Sequence, residues 1–323
     1  DGSGPLNTKI KQPVYNKPPD PLNRQSVDKI METGVRSIDG FTTIGKGQRM
    51  GIFAGSGVGK SVLLSILAKQ SKADINVIAL IGERGREVKE FIDKNLGEEG
   101  LKKSVVIVST SDQAPMLRLK AALTATAISE YFRDQGKDVM LMMDSLTRVA
   151  MAQREIGLAV GEPPTTKGYT PSVFSLLPKI IERAGNGTVG SITGLYTILI
   201  EGDDLDDPIG DTSRSLLDGH IVLSRKLASM GHYPPVDVLD SISRLANDII
   251  SDGHKDQKKK IISLLSAYKE NEDLISVGAY EEGSNTLIDE AIKAKESINN
   301  FLIQDISDST DFHYMQNEMN KLA

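Results

Sequence analysis

Between Gln48 and Ile200 the chain alternates short apolar runs with stretches of helical periodicity, the pattern of β-α-β units that build a parallel sheet. The runs predict strands at Arg49 to Ala54, Asn76 to Ile81, Ser104 to Ser109, Val139 to Met143 and Leu195 to Ile200. The periodic stretches predict helices near Ser61 to Gln70, Pro115 to Arg133 and Pro171 to Arg183, so five strands with crossover helices make a doubly wound α/β core over residues 31–245. After about Arg244 the strand-like runs stop. Lys258 to Lys269 and Leu287 to Ile303 are amphipathic and predict a separate helical domain over residues 246–323. The first thirty residues, rich in Pro, Asn, Gly and Lys, read as an extended, poorly packed entry linker. The opening Asp1-Gly2-Ser3-Gly4-Pro5 is unlike a natural start and predicts a missing preceding domain.

Composition narrows the functional classes. With 38 basic and 44 acidic residues the net charge is -6, which disfavours a nucleic-acid-coating surface. Without cysteine there is neither a disulfide framework nor a thiolate metal site, and four scattered histidines have no metal-ligand spacing. No apolar run approaches the ~18 residues of a membrane span, and no charged leader precedes an apolar segment, so a cytoplasmic protein is expected. There is no internal repeat, and Lys258-Lys259-Lys260 is the one like-charge cluster of note.

Candidate chemistry begins at Ala54-Gly55-Ser56-Gly57-Val58-Gly59-Lys60-Ser61, which lies between a predicted strand and a predicted helix, the context a Walker A motif requires. Glycines 55, 57 and 59 let backbone amides turn inward as an anion nest, with the helix N-terminus aimed at the same phosphates. Ser56 and Val58 contribute to the cradle, Lys60 would reach the β and γ phosphates, and the Ser61 hydroxyl suits magnesium. Ala54 stands at the first glycine position, which is tolerable where φ is negative.

Met140 to Asp144 is an apolar run ending in an acid, the Walker B arrangement, so Asp144 is a candidate metal-shell acid. It is also a candidate helix N-cap, since Ser145 and Thr147 follow. Glu83, just past the second strand, is a candidate general base, although on spacing alone a surface ion pair with Arg84 or Arg86 is an equal reading. Asp240 to Arg244 ends a predicted loop and means little by itself.

Four runs carry a resemblance across nearly the whole chain: Gly51 to Ser61, Ala79 to Val88, Gly161 to Val173 and Glu201 to Pro208. The sequence resembles the catalytic subunits of rotary ATP synthases, and more closely the flagellar and type III secretion export ATPases. The resemblance implies a RecA-like P-loop ATPase core, a small helical C-terminal domain, and a β-barrel domain ahead of the linker. It makes Glu83 the catalytic carboxylate. Arg84 and Arg148 become γ-phosphate or acid-orienting partners, and Arg244 a finger inserted into a neighbouring subunit. Tyr233, in Gly231 to Asp237, inherits the adenine-packing role, with Tyr280 on the other side of the base. Because one chain holds both the catalytic carboxylate and the finger, a homohexamer is implied, with ATP and Mg as cofactors.

The implied partners are export chaperones and substrates, a central stalk protein and a regulator, with peripheral membrane association at the export gate and no nucleic acid. The leading expectation is flagellar export, with chaperone release and substrate unfolding; a virulence secretion ATPase is the alternative. A proton-translocating synthase subunit is opposed by the finger in this chain. An RNA-translocating ring helicase is opposed by the acidic loop Asp203 to Asp207, and a regulatory nucleotide-binding module by Glu83 and Lys60.

Overall fold

A computed structural model describes residues 4–5, 10–200, 207–308 and 310–323. Glu201 to Asp206, which include all of the acidic loop but Asp207, lie outside them. In chain order the elements are α1 (Arg36–Phe41), β1 (Arg49–Ala54), α2 (Lys60–Gln70), β2 (Ile75–Ile81), α3 (Gly85–Glu90), a π-helical run (Phe91–Leu96), α4 (Gly97–Lys102) and β3 (Ser104–Ser109). Then come α5 (Pro115–Arg133), β4 (Asp138–Asp144), α6 (Leu146–Ala159), α7 (Pro171–Ile181), β5 (Gly185–Asn186), β6 (Ser191–Leu199), α8 (Pro208–Leu216), β7 (Gly219–Leu223), α9 (Arg225–Ser229) and β8 (Val236–Ser243). The chain closes with α10 (Ala246–Ile249), α11 (Asp252–Ser276), α12 (Thr286–Leu302) and α13 (Phe312–Leu322).

Among the described residues one eight-stranded sheet runs β3-β2-β4-β6-β1-β7-β8, with β5 added antiparallel to β6. All pairs from β3 to β7 are parallel, and β8 returns antiparallel to β7. The five expected strands are all present, and three were not foreseen. One of them, β8, corrects the loop expected before Arg244: Val236 and Val238 are buried and Asp240 is exposed, but toward its end Ile242 is exposed and Ser243 buried, so it forms an edge strand with a weak apolar signature. The helix expected to reach Arg183 stops at Ile181: Glu182 still donates to the Pro178 carbonyl four residues back, but Arg183 closes a tighter turn on Ile180, three residues back.

Alternation within the strands builds a core on each face of the sheet. Met50, Ile52, Met140 and Met142 pack with Leu63, Leu64 and Leu67 of α2, while Phe53, Val139, Leu141 and Met143 pack with Leu123, Val149 and Leu177. The first face also takes up Ile261 and Leu264 of α11, Phe301 of α12, and Met315 and Met319 of α13. Gly40 of α1 is where this approach is tightest: a Cβ there would stand 2.9 Å from Met319 Sδ. None of the described helices is long and apolar enough to cross a membrane.

The leading segment is extended, as its composition predicts, but it is not poorly packed. Arg183 donates to the Val14 carbonyl (2.9 Å), Arg24 to the Ala184 carbonyl (3.0 Å) and Gln25 to the Thr188 carbonyl (2.7 Å). Prolines remove backbone donors, and side chains from both sides hold the segment instead, Arg24 and Gln25 from the segment and Arg183 from the body.

Candidate active site

The phosphate loop joins the C-terminal end of β1 to α2 across residues 55–59. Gly57 and Gly59 take φ of 76° and 97°, left-handed conformations that side chains resist. Ala54, in the extended run of β1, has no such need, so its methyl is accommodated.

Lys60 opens α2 and projects between two carboxylates. Its Nζ hydrogen-bonds Asp144 Oδ1 and lies 3.6 Å from Glu83 Oε1, with only 12% of the side chain exposed. Asp144 ends β4, which pairs with both β2 and β6, so an apolar strand delivers a carboxylate into the sheet's C-terminal edge. Thr197 of β6 donates to Asp144 Oδ1 at 2.7 Å and fixes that oxygen. The N-cap of α6 is Ser145, whose hydroxyl accepts from the Arg148 amide at 3.2 Å, so Asp144 is free of that duty.

Glu83 follows β2 through Gly82, whose φ of 72° turns the chain; a Cβ there would sit 3.0 Å from the Arg148 stem. Arg84 and Arg86 are not its partners: they pair with Glu87 (3.6 Å) and Glu90 (3.1 Å) at the surface. Burial raises the Glu83 carboxyl above the ordinary value, Lys60 opposes this, and Asp144 and Glu87 add to it. A carboxylate of raised basicity beside an ammonium is suited to take a proton from, or orient, a water molecule.

The remaining candidates separate. Tyr233, 44% exposed, rests against the phosphate loop, with its Cε1 3.4 Å from where a Gly59 Cβ would be. Tyr280 donates to Asp289 Oδ1 (2.8 Å) and the Asn285 carbonyl (3.0 Å), so its hydrogen bonds stay in its own turn. Arg84 turns outward with 79% of its side chain exposed, whereas Arg148 lies beneath Gly82 with its Nε buried and making no hydrogen bond. Arg244 is at the opposite edge of the sheet, one residue past the Ser243 to Gly219 pairing, about a strand length or ~20 Å from the loop. It is exposed, and Nη2 donates to the Arg214 carbonyl at 3.2 Å. Within one chain it cannot reach Lys60.

Sequence reasoning missed Thr197. The available signal was a threonine hydroxyl near the end of the largely apolar run Ile192 to Ile200, but Thr193 and Tyr196 in the same run carry hydroxyls too, so nothing local singles Thr197 out.

The donors around Lys60 suit magnesium. Asp144, Glu83 and the exposed Ser61 offer oxygen only, the preference of a hard divalent cation. Among the described residues no group of three or more His, Cys, Asp or Glu could hold a metal alone, so phosphate oxygens and water would have to complete the shell. The residues fit the ion in that shared form.

A glycine loop between strand and helix, its lysine, and the acid at the end of β4 define a P-loop nucleotidase. The chain matches the ATP synthase alpha/beta family nucleotide-binding domain over residues 34–243, and the T3SS EscN ATPase C-terminal domain over residues 250–321. It is 59% identical over 303 residues to the flagellum-specific ATP synthase of Bacillus subtilis, covering 93% of this chain and 69% of that protein. A solved structure of a prototypical ATPase from the type III secretion system of pathogenic bacteria superposes with a TM-score of 0.94 at 48% identity, covering 100% of this chain and 93% of that one. The assembled ATPase EscN of enteropathogenic E. coli, in complex with its central stalk EscO, gives 0.90 at 48% identity, covering 99% and 78%. The chain therefore belongs to the ATP synthase alpha/beta family, within its type III secretion branch, and is a P-loop ATPase whose substrate is ATP.

Proposed function

We propose that this chain hydrolyses ATP with magnesium as a homohexamer, and that the hydrolysis energises protein export through the flagellar type III apparatus, releasing chaperones and unfolding cargo. The observation that carries the reading is the Lys60 ammonium shared between Asp144 and Glu83 at the head of the phosphate loop. Identity of 59% to a flagellum-specific relative, against 48% to the secretion ATPases of known structure, favours the flagellar system. The C-terminal match over residues 250–321 keeps a virulence system as the second reading.

In this reading the loop amides and Lys60 bind the phosphates, and Lys60 exchanges its carboxylates for phosphate oxygens. Ser61 and Asp144 would hold magnesium, which would supply neutralisation of the phosphate charge. Glu83 orients the attacking water and takes its proton, with Arg148 held beneath Gly82 beside the acid and Arg84 turning in from its surface pairing with Glu87 when the γ-phosphate is bound. Arg244 acts in the neighbouring subunit, which its place at the far edge of its own sheet supports. Tyr233 and Tyr280 flank the adenine. Residues 31–245 form the ATPase domain and residues 246–323 a helical domain, entered through the linker at residues 1–30. The helical domain meets chaperones and cargo, and a stalk protein engages the ring as EscO does EscN. A regulator binds as well, and the assembly works in the cytoplasm at the inner membrane face.

Phosphate release at rising protein concentration tests this. Specific activity should climb with concentration, and Glu83→Gln and Arg244→Ala should each lose about a thousand-fold. Activity independent of concentration and indifferent to Arg244 would leave a monomeric hydrolase and sink the shared site.

A further inference from the structure

The residues that close the nucleotide lip are not held by the α/β core alone. Just beyond α12, Gln304 is 3% exposed although its side chain is polar throughout. Burying an amide is costly unless it is hydrogen-bonded, and here the bonds converge on one place. Nε2 donates to the Gly34 carbonyl (2.7 Å) and the Asp308 carbonyl (2.9 Å), and Oε1 accepts from the Arg36 amide (2.9 Å). The Gln304 main-chain amide donates to the Tyr233 carbonyl at 2.8 Å.

Two of these partners lead back to the site, and a third ties α1 to α12. Tyr233 rests on Gly59 of the phosphate loop. Arg36 begins α1 and returns a bond from Nε to the Phe301 carbonyl of α12 at 2.7 Å. The Asp308 carbonyl also accepts from Gln70 (2.7 Å), the last residue of α2, the helix that Lys60 opens. Three side-chain bonds therefore fix the backbone at residue 304, and that backbone fixes the tyrosine lip.

We propose that Gln304 is a positioning residue for the nucleotide base: it sets where Tyr233 stands over the phosphate loop, and so tunes adenine affinity from the C-terminal helices. This rests on the reading of Tyr233 as the adenine-packing residue. Gln304 touches neither Lys60, Glu83 nor Asp144, so its loss acts on binding and leaves the chemical step alone. That split distinguishes positioning from a purely structural role, which would lower the melting temperature and leave nucleotide affinity of the folded protein unchanged.

The test is equilibrium binding of a ribose-labelled fluorescent ADP, with KM and kcat for ATP, on the full chain and on Gln304→Ala, Tyr233→Ala and the double variant. Loss of the buried hydrogen bonds should weaken binding and raise KM about tenfold for Gln304→Ala, with kcat within about twofold. The double variant should bind no worse than Tyr233→Ala alone, because Gln304 acts through the tyrosine. Gln304→Glu keeps the acceptor but sets an oxygen against two carbonyls, and should match or exceed the loss. Gln304→Met, which preserves volume, replaces the alanine variant if that one does not fold. If Tyr233→Ala weakens binding while the Gln304 variants do not, or if the two losses multiply in full, the positioning role is overturned. If Tyr233→Ala itself binds normally, the adenine-packing reading falls first and this proposal with it.

Discussion

Two clusters of buried charge sit at opposite edges of the same sheet. At the N-terminal edge Arg183 donates Nε and Nη2 to the two oxygens of Glu130, both at 2.8 Å, with the side chains 3% and 0% exposed. Arg183 also bonds the Val14 carbonyl, Asn16 bonds Glu130, and Arg49 joins Asp218 and Glu182 nearby. At the C-terminal edge a single Lys60 serves two carboxylates, one hydrogen-bonded and one at 3.6 Å. In the first cluster the buried pair Arg183–Glu130 has one cation for one carboxylate and fork geometry that satisfies both partners. The second has one positive charge for two negative ones, and a point-like ammonium that can change partners. Similar residue types thus make a strut at one edge and an exchangeable binding group at the other.

The largest expected effect that separates them is on folding. Arg183→Ala leaves Glu130 as an uncompensated buried charge and should cost about 3–5 kcal/mol, read from the denaturant midpoint. Exchanging both partners together for apolar residues of similar volume should recover much of it. A loss near 1 kcal/mol would place this pair with surface ion pairs and remove the contrast. The opposite edge should respond with the opposite sign. Glu83→Gln removes one of two like charges around Lys60, so stability should hold or rise by up to about 1 kcal/mol, even as turnover collapses. A clear drop in midpoint would make Glu83 part of the framework.

The same asymmetry explains what the sequence reveals. The phosphate loop is legible because its glycines must adopt particular backbone angles at fixed spacing, and Asp144 because an apolar strand ends on it. Glu83 is half legible. Its position is visible, but spacing alone leaves it between base and ion-pair partner, and only packing turns it toward Lys60 while Arg84 and Arg86 take Glu87 and Glu90. The strut Glu130 to Arg183 joins residues 53 apart and leaves no local pattern. The edge strand β8 is hidden for another reason: Asp237, Asp240 and Ser241 dilute its apolar signal, and polarity does not track exposure at its end, where Ile242 is exposed and Ser243 buried. Gln304 reads as an ordinary polar residue after a helix, and its importance comes from partners at Gly34 and Tyr233 brought together by the fold.

The smallest predicted effect is on pH. Glu83 acts as a carboxylate, and burial raises its pKa above the ordinary 4.5, against Lys60 and with help from Asp144 and Glu87. As pH falls through that raised value the base is protonated and kcat/KM declines, so the acid limb should lie above 4.5. ATP also titrates on the acid side of neutrality, near ~6 for a terminal phosphate, so the limb alone does not identify the protein group. Glu87→Gln separates the two. It removes a carboxylate that raises Glu83, so the protein's limb should move to lower pH while the substrate's titration stays put. The move should be small, because Glu87 is 40% exposed and paired with Arg84, and solvent screens it. A limb that coincides in wild type and Glu87→Gln would assign the decline to the substrate and leave Glu83 orienting water without taking its proton.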